Sequence, residues 1–150
     1  MMQVLSPVTG TSLDVSDVPD PVFASGMVGP GLAVDPDHTR QTAVAPIAGR
    51  LAKLHPHAFL VVSERGPGVL VHLGIDTMQM RGEGFRLVAA ENDVVRAGQE
   101  IVSWDPSYVA STGRSPICAV VVLDCPYTAE PAQRPGSCVT AGRPIFDIEC

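Results

Sequence analysis

The stretch His55-Pro56-His57-Ala58-Phe59-Leu60-Val61-Val62, Ser63-Glu64-Arg65-Gly66, Pro67-Gly68-Val69-Leu70-Val71-His72-Leu73 decides the fold. Two apolar runs separated by polar residues containing a glycine read as an antiparallel hairpin with a four-residue loop, Ser63 to Gly66. Counted back from that loop, Val62 pairs with Pro67, Ala58 with Val71 and His57 with His72. Pro67 has no amide proton, so its end of the ladder must do without a donor. Directly opposed residues carry their Cβ atoms about 4.5–5.5 Å apart, which brings two imidazoles within hydrogen-bonding range. A slip of one residue would send the two rings to opposite faces. By alternation Phe59 and Val61 share the face of His57, and Leu70 that of His72. Such apolar surroundings favour a neutral imidazole, with one nitrogen lone pair free to act as nucleophile or metal ligand. A lone histidine would be explained by a hydrogen bond at a sheet surface; a facing pair points to a site.

Outward from the hairpin the pattern repeats. The 14 glycines and 14 prolines are spread along the chain and break it at the spacing of short strands joined by turns. Expected strands are Gln3–Ser6, Ser12–Asp14, Leu32–Asp35, Gln41–Ala45, Gly49–Leu54, Ala58–Val62, Gly68–Leu73, Glu100–Trp104, Ile117–Leu123 and Pro144–Ile148. Several are apolar on both faces, as strands between two layers are. Asp105-Pro106-Ser107 reads as an N-cap with Pro at the first position of a short helix running to about Ala110. Phe85–Ala90 offers a second helical turn or two. Two internal echoes stand out. Val95-Arg96-Ala97-Gly98-Gln99-Glu100-Ile101 matches Val139-Thr140-Ala141-Gly142-Arg143-Pro144-Ile145, and Ser6-Pro7-Val8-Thr9-Gly10 resembles Ala45-Pro46-Ile47-Ala48-Gly49. Paired turn motifs imply a duplicated all-β architecture, an antiparallel sandwich or flattened barrel with one or two short helices.

With 150 residues, 45% of them apolar, the chain can bury a core without metal or disulfide help, and residues 1–150 are expected to form one domain. A formal net charge of −6 argues against a nucleic-acid partner, which needs a basic face. Neither a basic leader followed by an apolar stretch nor a run approaching roughly 18 apolar residues is present, so the protein is expected to be cytoplasmic, free-standing and not inserted in a membrane. Cys118, Cys125, Cys138 and Cys150 form no CxxC pair, and in a reducing compartment all four are expected as free thiols, Cys118 buried.

His72 is followed by Leu73-Gly74-Ile75-Asp76-Thr77 and then Arg81-Gly82-Glu83-Gly84-Phe85. Gly74 lets the backbone approach the ring, and its carbonyl could hold one ring N–H while leaving the other nitrogen free. Asp76 orients the site or caps a turn. Val71-His72-Leu73-Gly74-Ile75-Asp76-Thr77, with Gly82-Glu83-Gly84-Phe85 after it and His57-Ala58-Phe59 before it, resembles the glucose-type enzyme IIA domain of the bacterial phosphoenolpyruvate:sugar phosphotransferase system. Val18-Pro19-Asp20-Pro21-Val22-Phe23-Ala24, Met27-Val28-Gly29-Pro30-Gly31, Ala45 to Gly49 and Val95 to Gly98 extend the likeness over nearly the whole chain.

The resemblance implies an antiparallel β-sandwich and a phosphohistidine carrier, a phosphotransferase component that needs no cofactor. On it, His72 accepts a phosphoryl group from phospho-HPr at Nε2 and passes it to a cysteine of a sugar-specific EIIB domain or EIIBC permease. His57 matches the second histidine, which contacts the phosphoryl group without keeping it. Phe23, Met27, Val28 and Phe59 fall where the family docks its partners, and the chain is expected to act as a monomer. The match departs at His55, which stands where the family's best-known members carry a threonine; His55 either takes over that hydrogen bond or points away as an exposed strand end. A competing reading takes His55-Pro56-His57 and His72-Leu73-Gly74-Ile75-Asp76 as zinc ligands, either a regulatory site at His57 and His72 or a hydrolase with an open position for water. The zinc peptidases that use both motifs place them in the reverse order. Which sugar is served does not follow from the chain.

Overall fold

The computed structural model describes residues 2–125 and 129–150. Its strands are β1 (Met2–Leu5), β2 (Gly10–Asp14), β3 (Gly31–Pro36), β4 (Gln41–Val44), β5 (Gly49–His55), β6 (Ala58–Val62), β7 (Gly68–Leu73), β8 (Phe85–Leu87), β9 (Val94–Val95), β10 (Glu100–Trp104), β11 (Cys118–Leu123), β12 (Glu130–Pro131), β13 (Cys138–Val139) and β14 (Pro144–Ile148). Two short helices, α1 (Pro21–Ala24) and α2 (Pro106–Ser111), complete the fold with 3-10 turns at Val15–Asp17 and Thr77–Met80. Both helices begin as their sequences require: the carboxylates of Asp20 and Asp105 accept from backbone N–H groups of the first turn, and Pro follows at N1.

All pairings described are antiparallel, and the protein is an all-β sandwich. An eight-stranded sheet runs β13-β2-β3-β11-β7-β6-β5-β9, and two three-stranded sheets run β1-β14-β12 and β4-β10-β8. The order is palindromic about the β11–β7 pair, and the internal echoes are the reason. Gly98 and Gly142 both adopt φ +86° and donate their N–H groups to Ala45 and Ser6, the equivalent first residues of the second echo. Val95 pairs with Gly49 as Val139 pairs with Gly10. The echoes also bond to each other reciprocally, Leu5 N–H to the Pro46 carbonyl and Val44 N–H to that of Pro7, each at 2.9 Å. A pseudo-two-fold thus relates the two halves, and these reciprocal bonds join them at the ends of β1 and β4.

The main core lies between the large sheet and the smaller ones. Trp104, Phe59, Phe146, Leu51, Leu73 and Ile101 are its largest wholly buried side chains. A second, smaller cluster of Val18, Phe23, Ala33, Ile75, Ala119 and Val121 forms on the other face of the central strands, where α1 packs down.

Three expectations are corrected here. Phe85–Ala90 is not helical: Phe85–Leu87 is an edge strand paired with Val102–Trp104, and Gly84 at φ +89° turns the chain into it. The hairpin loop has five residues, Ser63–Pro67, and the register slides by one to Val62↔Gly68, Phe59↔Val71 and Ala58↔His72. Pro67 lacks the N–H that the ladder needs, so it leaves the ladder and offers its carbonyl to the Ser63 N–H at 3.0 Å. The cysteines are not all free: Cys125 and Cys150 are disulfide-bonded, Cα atoms 5.4 Å apart, leaving Cys118 and Cys138 as thiols. Burial pushes the Cys118 thiol up.

Candidate functional site

His72 points to the outer face of β7, opposite the inward Val69, Val71 and Leu73. Reading across the sheet, the row it belongs to is His55–Ala58–His72–Ala119–Ala33–Leu13. The ring is therefore flanked by alanines on both sides and stands half-buried on the outer face. Phe23 of α1 closes one wall with its ring centroid 5.5 Å from that of His72 at 60°.

His57 reaches the His72 ring by a different route from direct opposition. The corrected register sets Ala58 opposite His72, and the His57 carbonyl accepts from the Leu73 N–H at 2.7 Å. His57 lies in the two-residue turn between β5 and β6, outside strict strand alternation, and from there its ring meets His72 edge-on, centroids 5.3 Å apart at 66°. Phe59 and Val61, expected on this face, belong to the main core, and Phe59 is only 1% exposed. Phe59 is thus no docking residue; its side chain fills the inside of the sandwich. Phe23 is buried too, as part of the second cluster, and Val28 packs half-buried against that cluster, whereas Met27 is 82% exposed. Val22 and Met78 add exposed apolar surface.

The ring of His72 is pinned. Its Nδ1 lies 2.6 Å from the Gly74 carbonyl oxygen, which can only accept, so Nδ1 carries the proton and donates. In a neutral imidazole the lone pair is then on Nε2. The reach back from Gly74 needs its left-handed conformation, φ +80°, and a Cβ there would meet Thr77 Cγ2 at 2.5 Å and the Ser115 oxygen at 3.1 Å. Beyond it Ile75 N–H donates to that Ser115 oxygen, and the Thr77 hydroxyl to the Leu73 carbonyl. Asp76 is exposed at φ 60° and makes no capping bond.

Charge follows the same layout. Burial holds His72 below its ordinary value, opposed by the Gly74 hydrogen bond and by the carboxylates of Asp20 and Asp76. Burial, then the imidazoles of His72 and His55, hold His57 down to about 4. Both rings are neutral at pH 7. His55 is exposed, as one alternative had it, yet its ring does not leave the site: it stacks on His57, centroids 5.7 Å apart at 24°. The zinc reading finds no support, because among the described residues no group of three or more His, Cys, Asp or Glu side chains is placed to hold a metal.

A half-buried imidazole pinned at Nδ1 keeps Nε2 free to act as a nucleophile. Residues 2–126 match the family model of the phosphoenolpyruvate-dependent sugar phosphotransferase system, EIIA 1, and the chain belongs to that family. It is a phosphocarrier of that system.

A glucose-specific EIIA component of Bacillus cereus is 34% identical over 123 residues, covering 81% of this chain and 73% of the relative. The glucose-specific EIIBCA component of Corynebacterium glutamicum is 37% identical over 124 residues, but the chain spans only 18% of that protein's length. The glucose permease IIA of Mycoplasma capricolum superposes with a TM-score of 0.86 at 29% identity, over 97% of this chain and 94% of the other. Among the described residues no helix is long and apolar enough to cross a membrane.

Proposed function

We propose that His72 takes the phosphoryl group on Nε2 from phospho-HPr and delivers it to a cysteine of an EIIB domain of glucose type. The observation that carries this is the bond from His72 Nδ1 to the Gly74 carbonyl, which leaves Nε2 as the free nucleophile. In-line positioning and neutralisation of charge on the equatorial oxygens are what phosphoryl transfer requires. His57, edge-on at 5.3 Å, is placed to donate an N–H to those oxygens. The fixed proton on Nδ1 also makes Nε2 a good leaving atom when the P–N bond breaks. On the rim, exposed Val22, Met27 and Met78 offer partners an apolar footing, and Asp20 and Asp76 supply negative charge beside it.

In this reading residues 1–150 work as one domain, as a monomer in the cytoplasm, and the class of activity is transfer of a phosphoryl group from one protein to another. The names of the relatives argue for glucose as the sugar served, and the fused EIIBCA relative argues for EIIB as acceptor. The test is incubation with phosphoenolpyruvate, enzyme I and HPr, followed by intact mass under neutral and acid conditions. One acid-labile phosphate on wild type and none on His72→Ala is expected; no label on wild type, or full label on the variant, overturns the assignment.

A further inference from the structure

The ring of His55 lies within the site, against that of His57. His55 ends β5 and pairs with Ala58, so it stands on the outer face in the same cross-strand row as His72. Between them the turn Pro56-His57 rises from the sheet. Pro56 is backed by Gly82, where a Cβ would lie 3.4 Å from the proline Cγ, and the His57 carbonyl is tied to the Leu73 N–H. The backbone of the turn is thereby fixed from behind and below.

The ring of His57 is a separate matter. Two torsions separate it from that backbone, and a turn residue has no neighbouring pleat to interlock with. Two aromatic rings bracket it: His72 edge-on at 5.3 Å, and His55 stacked at 5.7 Å with planes 24° apart. An edge contact alone lets a ring spin about its own axis, whereas a stacked neighbour fixes the plane. The two contacts together define where the His57 N–H points.

We propose that His55 is a positioning residue for phosphoryl transfer: its ring, stacked on His57, sets the His57 ring plane so that an N–H faces the phosphoryl group on His72. The inference rests on the reading that His72 carries that group. In the step concerned, the bond from phosphorus to His72 Nε2 breaks as a bond from phosphorus to the acceptor thiolate sulfur forms. The electron pair of the broken bond returns to Nε2, and His57 donates to the equatorial oxygens throughout without giving up its proton. His55 touches neither phosphorus nor sulfur. It removes the rotational freedom of the group that does, and locking a contacting side chain through packing is what holds reacting geometry together.

The experiment compares wild type, His55→Ala and His55→Phe. Each is phosphorylated with phosphoenolpyruvate, enzyme I and HPr, then mixed with a cysteine-bearing EIIB domain in single-turnover mode over a range of acceptor concentrations. His55→Ala is expected to accept a full label and to keep its melting temperature, because the side chain is exposed. Its transfer rate at saturating acceptor falls by about 3- to 10-fold, the range an aromatic pair is worth, with the half-saturating concentration unchanged. His55→Phe, which keeps a planar ring but no titratable nitrogen, restores the rate. A His55→Ala variant as fast as wild type overturns the inference alone, as does a His55→Phe variant as slow as His55→Ala. A wild type that takes no label overturns the carrier reading and this inference with it.

Discussion

The two halves of the molecule share a plan and differ in what they build on it. On β7 the outward residue His72 faces Ala119; on β11 the place related by the pseudo-two-fold is Val121, which faces Leu70. Val121 is wholly buried in the second cluster, while His72 stands half open. The connections diverge in the same way. The first half joins β2 to β3 through residues 15–30, whose helix α1 lays Phe23 over the sheet; the second joins β5 to β6 through the two residues Pro56 and His57. One half supplies a roof and the other leaves its face bare, and His72 stands where the roof ends. Duplication provides the scaffold, and the departures from symmetry fall at the proposed phosphoryl site.

Breaking the asymmetry at its centre has the largest expected effect. His72→Ala abolishes acid-labile labelling, measured by intact mass, while Val121→Ala at the related place keeps the label and lowers unfolding free energy by about 1–3 kcal/mol in urea. Removing the roof comes next. Phe23→Ala is expected to cost about 3 kcal/mol in the same measurement, and it raises the pKa of His72 toward that of free imidazole because less of the ring is buried, readable by NMR titration.

Much of this was legible in the chain. Ala58–Val62, Gly68–Leu73, Glu100–Trp104 and Pro144–Ile148 have the bounds that their apolar runs announce, and the paired Gly98 and Gly142 motifs announce the duplication. The pairing of His57 with His72 was legible for a reason that failed. The hairpin count assumed that Pro67 stays in the ladder, and the slipped register moves Phe59 and Val61 into the core. His57 still meets His72 because a two-residue turn at the other end of β6 frees it from alternation. No local pattern exposes that, since the length of one loop and the tightness of the next decide it together. Phe23 was equally hidden: α1 has only four residues, too short for a periodic signal, and what it covers is set by tertiary packing. The bond between Cys125 and Cys150 depends on two strand ends meeting across the sequence, which spacing does not reveal.

Smaller changes sharpen the comparison. Gly74→Ala forces a Cβ against Thr77 at a left-handed backbone, so it is expected to cost about 1–3 kcal/mol and to slow labelling by displacing the acceptor of Nδ1. The smallest effect is on pH dependence. Native His57 takes a proton only near pH 4, the unfolded chain near pH 6.5, so between those values the unfolded state binds more protons. Stability is therefore expected to fall as pH drops from 6.5 toward 4 and to be insensitive to this group above 6.5. His57→Gln should flatten that part of a urea-midpoint profile, whereas a slope unchanged by the substitution would assign it elsewhere.

The row Ala58–His72–Ala119–Ala33 has one more consequence. Ala119 and Ala33 are wholly buried in the second cluster with Phe23, so the ring of His72 stands on a floor that has no rotamers to lose. With its Nδ1 held by Gly74 as well, the ring is set before any partner arrives, and an encounter spends little entropy on ordering it. A side chain presented in that way suits encounters that must be brief and repeated.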